Sequence, residues 1–167
     1  MHNGAISDFR KVKRDLAFAV DPSLYPDIEE STDSELFFVL ALTFGLETDP
    51  LRAVQRAVGF IEKTGRAHGV RRPIRMTVAT SDGDAVWVFR YSSGGETGSL
   101  FYSAQIGALR ALYPENEVFQ SLSEESRVVV SEPLSGLPGV WKEVPKATWG
   151  VVRRGADDLA PFRPRPS

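Results

Sequence analysis

The chain has 167 residues, 42% of them hydrophobic and 25% charged, which is enough for one domain with a real core and unlike a disordered or fibrous composition. Its formal charge is −2 with Lys and Arg scattered, so it carries no electrostatic footprint for nucleic acid or an anionic membrane surface. Cysteine is absent, which removes disulfides, thiolate metal sites and a cysteine nucleophile within this sequence.

The chain opens MHNGAI, and Asn3-Gly4 taken alone is a tight-turn signal. Ser7 is a candidate cap for a helix in which Phe9, Val12, Leu16 and Val20 share a face, stopped by Asp21-Pro22. Residues 1–20 lack the pattern of a signal peptide. DPSLYPDIEES, over residues 21–31, reads as a loop held by Leu24 and Tyr25. Thr32-Asp33-Ser34-Glu35 forms a capping box, in which Thr32 accepts from the Glu35 N–H and the Glu35 side chain reaches back to Thr32. The helix it opens, LFFVLALTF, is apolar on nearly every side, which predicts burial between layers. Its longest apolar run, Leu36 to Leu42, is too short to span a bilayer, and a cytoplasmic location is expected. Asp49-Pro50 opens a third helix with Leu51, Val54, Val58 and Ile61 on its inner stripe, ending at Gly65 or Gly69.

From Pro73 the pattern changes. IRMTVAT and AVWVFRY, joined across Asp82-Gly83, predict a hairpin. SSGGETGS reads as a flexible hairpin connection to SLFYSA, since no helix follows directly and no lysine is present to cradle a phosphate. Residues 105–125 are expected to be mostly loop. RVVVSEPL and WKEVPKATWGVVRR predict two or three more strands, and residues 154–167 a flexible tail. Helices first and strands afterwards is the α+β order, with a helical layer packed on an antiparallel meander.

Taken singly, these motifs have structural explanations. The capping box accounts for Thr32 and Glu35, Trp87, Trp141 and Trp149 are expected as core or rim aromatics, and with two histidines no metal site is expected. Asp33 is permitted by the helix dipole without being demanded by it. Taken in order, HNGAISDF, SLYPD, TDSELFFVLAL, MTVATSDGDAVWVFRYSS, SLFYS, VVVSEPL and WKEVP resemble the later part of a class II glutamine amidotransferase domain, an N-terminal nucleophile hydrolase of the stand-alone kind. The resemblance covers residues 1 to about 153, and HNG followed by TDSE is its specific part.

The resemblance implies glutamine, or another glutamyl amide, as substrate, and no cofactor. It implies Asn3 and Gly4 as an oxyanion pair, Asp33 as acceptor of the substrate's α-ammonium, and His2 and Ser34 as pocket residues. It also implies part of a four-layer αββα fold. In that family an N-terminal cysteine is the nucleophile, and an arginine holds the glutamine carboxylate. Both lie upstream of the HNG segment, and Met1 offers no thiolate in their place. The expectation is therefore a truncated amidotransferase domain, inactive by itself and completed by an upstream segment or a second chain. The competing expectation is a degenerate homologue serving as a non-catalytic binding or interaction subunit.

Overall fold

The structure, a computed structural model, describes residues 1–153 and 157–166. Its elements in chain order are β1 (His2–Ile6), α1 (Phe9–Phe18), α2 (Asp33–Thr43), α3 (Pro50–Ala67), β2 (Ile74–Ser81), β3 (Val86–Ser92), β4 (Phe101–Ser103), α4 (Ile106–Leu112), α5 (Glu117–Ser121), β5 (Val129–Val130), β6 (Trp141–Glu143), β7 (Thr148–Val152) and β8 (Asp158–Pro161). The protein is a mixed α and β structure with two antiparallel sheets, a five-stranded one in the order β1-β2-β3-β7-β8 and a three-stranded one in the order β5-β4-β6.

Alternation of side chains along the strands builds two cores from one sheet. Ile74, Met76 and Val78 of β2 and Phe89 of β3 pack with Val12, Leu16, Leu36, Leu40, Val54 and Ile61 of the three long helices. Val88 and Val152 point to the opposite face and pack with Leu100, Tyr102 and Val144 around the small sheet. A third cluster, Ile106, Leu109, Phe119 and Val140, ties α4 and α5 together. Two buried polar side chains bind elements across these cores. Glu62 of α3 accepts hydrogen bonds from Tyr91 Oη and Ser93 Oγ, each at 2.7 Å, and pairs with Arg66 at 2.6 Å. Arg90 of β3 donates to Thr97 Oγ1, to Glu143 and to the Val144 carbonyl.

The structure corrects several expectations. The first element is a strand, so helices do not come first, and the HNG segment is extended rather than a loop or turn. A short edge strand has little local signature, because its pairing partner, β2, lies some 70 residues on. Ser7 does not cap α1. Asp8, with φ 51, occupies that position, and the Ser7 hydroxyl donates to the Arg72 carbonyl. The loop SSGGETGS carries the chain from one sheet to the other instead of closing a hairpin. Residues 105–125 contain two short helices, whose apolar residues find a core only in the third cluster.

The expected tail is also different where it is described. Residues 154–156 and 167 lie outside the described residues, but β8 pairs with β7 and Phe162 is 2% exposed. Phe162 packs against Phe89 and Tyr91 with ring centroids 5.8 and 5.3 Å apart. Beyond it the Arg165 N–H donates to the Gln55 carbonyl, against Gly59 of α3, where a Cβ would come within 1.8 Å of the Arg165 carbonyl oxygen. A polar, proline-rich composition conceals one well-placed aromatic anchor. Phe162→Ala is expected to cost about 3 to 5 kcal/mol in urea unfolding, whereas exposed Arg163→Ala should stay within about 0.5 kcal/mol.

Candidate functional site

The candidate residues sit where the start of α2 meets the edge strand β1. Antiparallel pairing sends the backbone groups of alternate residues toward the partner strand and those of the others away from it. The Ala79 N–H donates to the Met1 carbonyl at 3.0 Å and the Ser7 N–H to the Pro73 carbonyl at 2.8 Å, which puts the odd-numbered residues in register with β2. The N–H groups of His2, Gly4 and Ile6 therefore point out from the free edge of the sheet. One of them has a partner: the Ile6 N–H donates to Asp33 Oδ2 at 2.7 Å.

Asp33 reaches that edge because of how α2 begins. Thr32 is the cap, its hydroxyl accepting from the Glu35 N–H at 3.2 Å, as the sequence predicts. The Glu35 carboxylate does not turn back to Thr32. It accepts from the N–H groups of Glu29 and Glu30, fastening the preceding loop to the helix instead. Asp33 is thus the first residue of a helix whose start is held on both sides, facing a strand edge with a donor to offer.

A second tie runs through His2. Its Nδ1 lies 2.7 Å from Ser34 Oγ, and its ring stacks on Phe37 with centroids 5.3 Å apart. Its Nε2 is buried without a hydrogen-bond partner and lies over Gly4. A Cβ built on Gly4 would come within 2.9 Å of that nitrogen and 2.1 Å of the Arg75 carbonyl oxygen, so glycine is required by close approach on two sides. Burial lowers the His2 pKa below its usual value, with the negative charge of Asp33 opposing the shift.

These residues do not share one cavity. A cleft of about 540 Å³ between α2 and the ends of β2 and β3 is lined by His2 and Ser34 together with Phe37, Phe38, Val78 and Val86. Asp33 instead borders a shallow depression with Asp8, Phe9 and Thr32. Asn3 is exposed and, by alternation, directs its side chain to the face opposite His2 and Gly4. Its carbonyl accepts from Thr77 Oγ1 at 3.0 Å, and Thr77 itself is 1% exposed. Thr77 and Phe37 both hold site residues in position and neither is marked in the sequence, since one reads as a strand residue and the other as helix core. Among the described residues no group of three or more His, Asp or Glu side chains is placed to hold a metal ion. Among the described residues no helix is long and apolar enough to cross a membrane.

No family model matches the chain. It is 29% identical to "Probable glutamine amidotransferase DUG3" of Saccharomyces cerevisiae over 183 aligned positions, covering 97% of this chain and 51% of that protein. The chain thus spans about half the length of this curated relative. Among solved structures it is similar to a glutamine aminotransferase class-II domain protein from Silicibacter pomeroyi, with a TM-score of 0.81 and 32% identity. That match covers 99% of this chain and 67% of the other.

Two outcomes follow from the geometry. The His2 imidazole should titrate below about 6.5 in an NMR pH series. Because the unfolded chain then binds the proton more readily, stability should be complete above about pH 6.5 and decline as pH falls below it, and His2→Asn should remove that part of the slope. Gly4→Ala should separate β1 from β2 at a cost of about 1 to 3 kcal/mol, read as faster hydrogen exchange at the Thr77 amide.

Proposed function

Because the chain belongs to the class II glutamine amidotransferase family, we propose that it forms the substrate side of a site hydrolysing the side-chain amide of glutamine, or of a related glutamyl amide, to the acid and ammonia. The carrying observation is the free edge of β1. The Gly4 N–H points out of it, and Asp33 is anchored two residues along at the Ile6 N–H. Two residues of extended chain span about 7 Å. An extended glutamine measures about 6 Å from α-nitrogen to δ-carbonyl oxygen, being five bonds of roughly 1.5 Å on a zigzag. A glutamine lying along this edge would thus set its carbonyl oxygen at the Gly4 N–H and its α-ammonium at Asp33, whose second carboxylate oxygen makes no hydrogen bond among the described residues.

In this reading Asn3, exposed and with its amide unbonded among the described residues, turns over the strand edge and supplies the second donor to the oxyanion. A fixed amide and a fixed backbone N–H stabilise developing negative charge without reorganising at the moment of reaction. His2 and Ser34 hold the start of α2 against β1, so that the donor and the carboxylate keep their spacing. Residues 1–153 together with β8 and the Phe162 anchor constitute this part of the domain, within a partial four-layer αββα arrangement, in the cytoplasm.

The chain contains no cysteine. The nucleophile is proposed to come from an upstream segment or a second chain that completes the sheet at β1, and the 167 residues by themselves should not turn over glutamine. A second reading, a non-catalytic interaction subunit, is favoured by the same open edge and by Phe38, which is 51% exposed beside the cleft. A glutaminase assay on the chain alone and on its mixture with a separately made segment bearing an N-terminal cysteine separates the two. Activity only in the mixture supports the hydrolase reading; silence in both, with the mixture shown to be folded, supports the interaction subunit. In an active mixture, Asn3→Ala should lower kcat about 100- to 1000-fold, while Asp33→Ala should act chiefly by raising KM.

A further inference from the structure

Residues 10–14 read Arg-Lys-Val-Lys-Arg. Helix α1 buries Val12 in the core and leaves the four cations on its outer face. Lys11 pairs with Asp8 at 2.8 Å, but Arg10, Lys13 and Arg14 have no acidic partner among the described residues. These three, with Phe18 and Tyr25, line a concave surface of about 670 Å³. Both aromatics are unusually open, Phe18 at 75% and Tyr25 at 56% exposure. Arg14 lies over the Phe18 ring at 5.2 Å.

On the other side of Tyr25 the sign reverses. Asp27, Glu29 and Glu30 are exposed and have no basic partner among the described residues. Their loop is nonetheless well fastened, since the Glu29 and Glu30 N–H groups are held by Glu35. Lys13, Tyr25 and Glu30 border one depression, so the cations of α1, the exposed aromatics and the acidic 27–30 loop adjoin on one face. Such a surface is complementary to itself when turned through a half rotation. The adjacent carboxylates would repel a nucleic acid or an anionic membrane drawn to the cations alone.

We propose that this face pairs with the same face of a second copy of the chain, forming a two-fold dimer. The cations of α1 in one protomer meet the 27–30 loop of the other, twice over, and the two Phe18 and Tyr25 pairs pack at the centre. Twofold pairing satisfies both strips and closes the assembly, whereas a head-to-tail contact would leave one of each open. The face meets the depression beside Asp33 at Arg10, and the charge reversals that test it leave both of those residues unchanged, so a failure to dimerise is distinguishable from a failure of the hydrolase reading.

The test is sedimentation velocity of the full chain across a concentration series at low and high salt, with circular dichroism to verify folding. The expected result is a concentration-dependent dimer weakened by salt, because its charged pairs lie at an exposed rim. The double variants Lys13→Glu with Arg14→Glu, and Glu29→Lys with Glu30→Lys, should each raise the dimer dissociation constant at least about tenfold. Mixing the two variants should restore dimers, since opposite strips then face one another. Phe18→Ser should weaken association without changing its salt dependence. A monomer at every concentration, a dimer indifferent to the charge reversals, or swapped variants that fail to pair with one another would each overturn the proposal.

Discussion

The hydrogen bond from the Ile6 N–H to the Asp33 carboxylate is the contact on which the junction of β1 and α2, and with it the candidate site, depends. It joins the open edge of a sheet to the start of a helix, two places where backbone N–H groups lack partners within their own element. A carboxylate at the first turn of α2 suits both, since it lies in the positive end of the helix dipole and accepts from the strand. The His2 contacts with Ser34 and Phe37 lie on the same junction four residues away, so β1 is held to α2 at two points along its length. That double attachment keeps a five-residue edge strand extended and its outward N–H groups at fixed spacing.

Gly4 is the complementary constraint. The strand approaches β2 so closely, and the His2 ring covers it so tightly, that no side chain fits. A glycine in a strand ordinarily weakens it. Here it permits a backbone donor to face out of the sheet edge with no side chain of its own in the way, and the cost is offset by the ties to α2. The oxyanion role proposed for Gly4 and its structural role thus rest on the same missing Cβ.

Away from the edge, the fold relies on buried polar side chains as much as on apolar packing. Glu62, almost wholly buried, is tolerable because Tyr91, Ser93 and Arg66 satisfy its oxygens, and burial beside that carboxylate in turn pushes the Tyr91 hydroxyl pKa well above its usual value. Arg90 performs the equivalent task between the two sheets. These networks tie the sheet behind β1 to α3 and to the small sheet.

The sequence by itself determined the three long helices, since their apolar spacing, the Thr32 cap and the Asp49-Pro50 start are local signals that tertiary packing had no reason to override. It also determined the β2–β3 hairpin, where two alternating runs flank Asp82-Gly83, and through the ordered motifs it nominated Asn3, Gly4 and Asp33 as candidate site residues. Only the tertiary structure decided that His2–Ile6 is a strand, because a five-residue edge acquires its conformation from β2, far along the chain. Only it decided that Phe162 anchors the C-terminal segment, which composition had marked as frayed, and that Glu35 secures the loop before its helix rather than its cap. Local propensity is written in neighbouring residues. The spacing between a strand-edge donor and a carboxylate on another element arises only from the folded arrangement of both.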